Sequence, residues 1–275
     1  IDRESLYLEI ICELETLTDE TTLQTKRRLL QHVMILTETV PRNGDYWALQ
    51  GDIAVKILDE EKPMTDAIEH NVLGTQPWRK IITPDTAISA YLKALKVGVS
   101  TEISWSDGAN MEEHIHHGLG SLYLEEDDLN NASKHFKKLI LLQKARRKKE
   151  NRYGGWLADP YEHLAEIAEK QKKWRLAIKY LQNAHKVDPE TSETLQRIGS
   201  NYGELGEYKK SIEYYDLSLD SSSEAAAYGN DMTKLKTRIY FNKHVSLTKL
   251  NRFEDALACL NLLLLDKPCP GHIFV

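Results

Sequence analysis

Apolar residues recur three and four apart along most of this chain, the spacing that places them on one face of a helix. Leu6, Ile10 and Leu14 share a face in the stretch Arg3 to Leu17, and Leu29, Val33 and Leu36 share one in Thr22 to Val40. The turn at Thr18 to Glu20 and the stop at Pro41 to Gly44 make residues 1–41 a helical hairpin. Further amphipathic stretches follow, broken by Gly- and Pro-bearing segments. They predict an all-α protein built from antiparallel helix pairs.

The pattern also repeats. With Ala158 as first residue of a unit, Tyr161, Leu164, Ala165, Ala168, Ala177, Leu181, Ala184 and Pro189 are answered by Leu195, Ile198, Gly199, Tyr202, Ser211, Tyr215, Ser218 and Ser223, each displaced by about 34 residues. Small residues recur where two helices approach closely, and large apolar ones recur where they interlock. Trp47, Gly51 and Ala54 carry the same first-helix spacing, and Ala87, Tyr91 and Ala94 the second. Residues 60–83 stand between the two as an insertion holding Pro63, Gly74, Pro77 and Trp78. Leu119, Gly120 and Tyr123 with Ala132 and Phe136 make another unit, whose second helix overruns into Lys144 to Lys149. Ser221 to Asp231 reads as a break. Tyr240, Leu247, Ala256, Leu260 and Pro268 mark a last unit, in which Lys243 and His244 replace the usual Leu-Gly pair.

These residues resemble the tetratricopeptide repeat family, whose first helix carries a bulky residue, Leu-Gly and Tyr, and whose second carries Ala, an aromatic and Ala, with Pro near the end. The resemblance implies a right-handed α-solenoid of about six helix pairs with insertions. Its expected units are 1–41, 44–97, 113–152, 158–191, 192–225 and 237–270. The chain opens on Ile1 and shows no polar capping helix before Val275, so we expect a piece of a longer protein or a partner at the open end.

Composition narrows the class. The 275 residues are 41% hydrophobic and 28% charged, with formal net charge −6. No run of 18 apolar residues offers a membrane span, and no signal peptide opens the chain. Cys12, Cys259 and Cys269 form no pair, and thiols kept reduced in the cytoplasm or nucleus are the simplest reading. Asn131-Ala-Ser133 matches a glycosylation sequon at a helix start in a chain without secretory features. The motifs of phosphate loops, zinc proteases, serine hydrolases and calcium loops are missing from the sequence, so neither a catalytic residue nor a cofactor is assigned. Glu113, His114 and His117 have the helical spacing of a zinc or nickel site. The repeat register gives His116 a core position instead and turns His114 and His117 to the concave face, so no metal is assigned.

By the resemblance, that concave face is lined by the second, fifth, ninth and twelfth residues of each first helix. The groove set is His114, His117, Ser121, Glu162, Glu166, Glu193, Gln196, Ser200, Arg238 and Phe241. Glu162 and Glu166 stand where relatives that hold acidic chaperone tails carry Lys and Asn, so such a tail is not expected. A basic or neutral peptide fits better. Between Ser133 and Arg152 lie nine Lys or Arg and one acid, with Lys144, Arg146, Arg147, Lys148, Lys149 and Arg152 as a candidate patch for an acidic partner or nucleic acid. The expectation is a non-catalytic scaffold or adaptor that holds a peptide or partner subunit within a complex. The alternatives are the recruiting arm of a larger enzyme and an RNA- or DNA-associated scaffold.

Overall fold

The computed structural model describes residues 10, 23–61, 83–99, 110–150, 158–189, 192–227 and 233–265. They form eleven helices: α1 (Leu23–Thr39), α2 (Gly44–Glu61), α3 (Pro84–Val97), α4 (Met111–Glu125), α5 (Leu129–Glu150), α6 (Ala158–Lys170), α7 (Trp174–Val187), α8 (Ser192–Glu204), α9 (Tyr208–Ala227), α10 (Thr233–Lys249) and α11 (Phe253–Leu265). Two compact units divide the chain, Ile1–Leu139 and Ile140–Val275, with the boundary inside α5. The insertion expected at 60–83 lies outside the described residues but for Glu60, Glu61 and Thr83. Most of the first expected helix, Arg152, Cys12 and Cys269 also lie outside them.

Four helix hairpins turn by the same device. The chain reverses through one residue in the left-handed region: Asp127 (φ 59°), Lys172 (φ 55°), Gly206 (φ 74°) and Asn251 (φ 59°). The next amide in each case reaches back over the turn, Asp128 to Tyr123, Lys173 to Ala168, Glu207 to Tyr202 and Arg252 to Leu247, at 2.8 to 3.0 Å. This is the Schellman closure, which satisfies carbonyls that a helix end otherwise leaves bare. It folds each second helix back on the first.

What lets the pairs close is a repeated exchange of volume. A Cβ placed on Gly51 would stand 2.5 Å from the ring of Tyr91, one on Gly120 2.7 Å from Phe136, and one on Gly199 2.8 Å from Tyr215. The three rings are buried. Where the small residue is Ala165, the opposing residue is Leu181, and both are buried in one cluster with Ile178 and Ile198. A larger residue on one helix therefore meets a smaller one on its neighbour, which keeps the core at close-packed density.

Unit 1 buries Leu29, Val33, Leu36, Leu49, Ile53, Ile57, Ala87, Ile115 and Leu119 in one cluster, so α1 to α4 share a core. In unit 2, Ile212, Leu247, Ala256 and Cys259 close α9, α10 and α11 together. Burial pushes the Cys259 thiol up, so it packs as a small apolar group. Helix α9 corrects one expectation. It runs on to Ala227, through more than half of the stretch Ser221 to Asp231 expected as a break. Ala225, Ala226 and Ala227 are the strongest helix formers, and they carry the helix past Ser221, Ser222 and Ser223.

Candidate functional site

The groove positions of unit 1 meet around a buried carboxylate. His114, His117 and Ser121 of α4 line a cavity of about 280 Å³ with Asp52, Val55, Lys56 and Leu58 of α2 and Tyr91 of α3. Asp52 is 6% exposed. Its Oδ1 accepts from the Tyr91 hydroxyl at 2.6 Å and lies 2.7 Å from His114 Nε2. A carboxylate oxygen only accepts, so Nε2 carries the hydrogen. Tyr91 is held for this by two glycines, Gly51 on one side and Gly118, whose Cβ would stand 3.1 Å from the ring, on the other.

This placement separates the metal-like trio. Glu113 turns into the core at 1% exposure, His114 takes Asp52, and His117 sets its ring edge against Phe136 at 6.3 Å. His116 also turns inward, with its Nδ1 2.8 Å from Nδ1 of His135 on α5, and Tyr123 stacks on the His135 ring. Burial first, and then the neighbouring His135, lower the His116 pKa to about 4. Burial lowers that of His135 as well. The pair shares one hydrogen as a neutral core contact.

In unit 2 the groove positions bond to one another. Glu162 of α6 accepts from Thr194 of α8 at 2.7 Å, and Glu169 accepts from Arg197 at 2.8 Å and Asn201 at 2.7 Å. Glu193 of α8 pairs with Arg238 of α10 at 2.7 Å. Ser200 Oγ sits among Gln196 at 2.8 Å, the Tyr215 hydroxyl at 3.2 Å and Asn242 at 3.3 Å. Glu166 lies half-buried with His163 Nδ1 at 3.8 Å. Ser200, Glu204, Tyr215, Asn242, Val245 and Lys249 are among the residues lining a cavity of about 380 Å³. Burial raises the Tyr215 phenol, which stays a neutral donor there. Beside it Phe241 is 56% exposed.

Of the candidate basic patch, Lys144 lies 5.6 Å over the Tyr161 ring, Arg146 is half-buried and Lys148 is exposed. The side chains of Arg147 and Lys149 lie outside what is described. Register reasoning named the α4 residues of the unit 1 cavity and missed Asp52. Counted from Gly44, Asp52 holds the ninth position that Ser121 and Ser200 hold in their own repeats, and that count would have found it.

A model of the tetratricopeptide repeat matches residues 113–146 and 192–224. No curated protein sequence matches the chain. Among solved structures it is similar to the MamA protein, at 19% identity, TM-score 0.53, with 82% of this chain and 97% of that one covered. It is also similar to YrrB, described as a TPR protein with an unusual peptide-binding site, at 14% identity and TM-score 0.53 over 86% of this chain and 93% of that. BtubC from P. vanneervenii aligns at 16% identity and TM-score 0.61 over 93% and 98%. At such identities the likeness speaks for the fold alone. With its hairpins closed by one repeated turn and two stretches matched by the repeat model, the chain has an all-α fold similar to that of tetratricopeptide repeat proteins.

Proposed function

We propose that this protein is a non-catalytic adaptor that holds an extended peptide segment of a partner along its first helices. The observation that carries the reading is that, in each unit, first-helix residues at the register's groove positions line an open cavity: His114, His117 and Ser121 in one and Ser200 in the other. Phe241 and Val245, one helical turn apart and both exposed, supply an apolar anchor beside the second cavity. Groove binding of this kind draws on a few anchors and on polar groups already held in place, which lowers the ordering cost of association. The bonds from Thr194, Arg197 and Asn201 to glutamates hold α8 against α6 in that way. Glu162 accepts from Thr194 and Glu193 pairs with Arg238 at the surface, so part of their charge is already answered and the unit 2 groove favours a neutral or weakly basic segment. YrrB, of the same fold, is a peptide binder by its own description.

The test is selection of peptides from a displayed random library on the intact chain. The selected peptides should lose binding to Ser121→Phe or Phe241→Ser, and keep it to Lys148→Glu on α5. If both groove variants bind them as the wild type does, the groove reading fails. If only Lys148→Glu loses them, the basic helix is the contact surface.

A further inference from the structure

The joint behind the unit 1 groove holds two titratable rings face to face. His116 of α4 and His135 of α5 are both buried, and their Nδ1 atoms lie 2.8 Å apart. At that distance one Nδ1 donates and the other accepts, so the contact has room for one hydrogen. A proton added to the accepting ring sets two N–H groups against each other. A proton added to the far nitrogen of the donating ring keeps the contact but buries a cation. Under either tautomer the closed joint resists protonation.

The charges around the pair do not relieve this. Lys134 and Lys138 of α5 both disfavour a charged His116, and Lys134 disfavours a charged His135. Glu112, one turn before His116, lies 4.0 Å from its Nε2, but it also pairs with Lys138 at 3.6 Å and is itself partly exposed. Tyr123 of α4 stacks on His135, and Asp128 of the turn and Asp85 of α3 bear on its phenol, which stays neutral. In unit 2 the same two positions hold Tyr161 with Tyr180 and Leu195 with Tyr214, and acid passes those by. The unit 1 joint also supports the groove. Phe136, next to His135, fills the space where a Cβ on Gly120 would stand 2.7 Å from its ring, and the His117 ring meets it edge-on at 6.3 Å. His117 and Ser121 line the unit 1 cavity from the same helix.

We propose that the His116–His135 pair is an acid-released latch, which closes the unit 1 part of α5 on α4 at neutral pH and opens in acid, taking Phe136 away from Gly120 and His117. The proposal rests on the groove reading above and names how its unit 1 site is regulated. An opened His116 takes its proton near the ordinary 6.5, whereas the closed one waits until about 4, through burial first and then the neighbouring His135. Going from about pH 7.5 to about pH 5 therefore raises the open fraction about thirtyfold through His116 alone. His135, lowered by its own burial, adds to this.

The experiment is amide hydrogen exchange on the full chain at those two pH values, corrected for the intrinsic rate and repeated in low urea. Protection at residues 132–139 should fall about thirtyfold or more in acid, through an opening that urea barely enhances because it exposes little surface. Protection that does not change with pH overturns the latch. So does an urea slope at 132–139 equal to that at 87–94 of α3, since acid would then unfold unit 1 as a whole. His116→Tyr with His135→Tyr, the residues of the unit 2 joint, should remove the pH dependence. Should that variant fail to fold, ring ¹⁵N spectra of the wild type decide, because both histidines must titrate well below the ordinary value while α5 is closed. A library-selected peptide that Ser121→Phe rejects, added at about ten times its dissociation constant at about pH 5, should restore protection at 132–139 about tenfold, because it binds the closed joint. No restoration overturns the regulation and leaves the groove reading standing. If α5 opens as expected and no displayed peptide is retained, the groove reading falls, and with it the regulatory role.

Discussion

The floors of the two cavities are built from the same repeat positions and resolve their polar atoms differently. In unit 2, Ser200 is met by Gln196, Tyr215 and Asn242, and the glutamates of α6 and α8 are bridged by Thr194, Arg197, Asn201 and Arg238. In unit 1 the ninth position is Asp52, whose donors crowd on one oxygen. A neutral hydroxyl can give and take with its neighbours, whereas a carboxylate can only take. One repeat geometry therefore yields a self-satisfied surface with Ser and an unfinished one with Asp. The joints behind the floors differ as well. The position that holds Tyr161, Leu195 and Tyr240 in unit 2 holds His116 in unit 1, and the one that holds Tyr180 and Tyr214 holds His135.

The largest effects should come from the tight pairings on which both floors rest. Gly199→Ala drives a methyl to 2.8 Å from the Tyr215 ring and 3.1 Å from the Ser211 carbonyl oxygen, and should cost about 1–3 kcal/mol in urea unfolding. Gly51→Ala meets three atoms of Tyr91 within 2.9 Å and should cost more than Gly199→Ala, because it also pushes the hydroxyl off Asp52. Equal and small losses would mean that the rings are free to shift.

Next comes acid. In the fold His116 holds its proton only below about pH 4, against 6.5 for the unfolded side chain. Between those values the unfolded chain binds the proton first. The His116 contribution is thus complete above about pH 6.5 and lost as the pH falls toward 4, a change of up to about 3 kcal/mol. His135, Lys134 and Lys138 all push in this direction, and Glu112, with its carboxylate 4.0 Å from Nε2 of His116, opposes it. His116→Tyr, the residue of the unit 2 joints, should flatten this part of the pH dependence of unfolding.

A smaller contrast separates the two floors directly. Tyr91→Phe takes a donor from a buried carboxylate and should cost roughly 1.5–3 kcal/mol, whereas Ser200→Ala breaks neutral hydrogen bonds and should cost about 1. The reverse order in thermal melts would deny the distinction between the floors. Least of all, Arg238→Ala removes an ion pair whose side chains are both at least half exposed, and should move stability by less than about 0.5 kcal/mol, with no effect left at high salt.

The fold was legible because the repeat writes it twice over, in apolar spacing and in the exchange of Gly51, Gly120 and Gly199 for rings on the next helix. The left-handed turns were less so, since three of the four use Asp127, Lys172 and Asn251 where glycine would have announced them. Helix α9 outran the expectation because its alanines stand among serines that read as a break. For the site, register alone brings His114, His117 and Ser121 to one wall. It does not show that Asp52 is buried, because that follows from Tyr91 and His114 arriving from 39 and 62 residues away. The glutamates of unit 2 looked like a free acidic face for the same reason. Their partners Thr194, Arg197 and Arg238 come from the following first helices.

The most direct test of the groove account is photo-cross-linking of a library-selected peptide, carrying a diazirine at each position in turn, to the full chain, with the adducts mapped by mass spectrometry. The account predicts adducts on the first helices, α2 and α4 in unit 1 and α8 and α10 in unit 2, at residues that line the two cavities. Adducts gathered instead on the exposed faces of α5, α9 or α11 would contradict it.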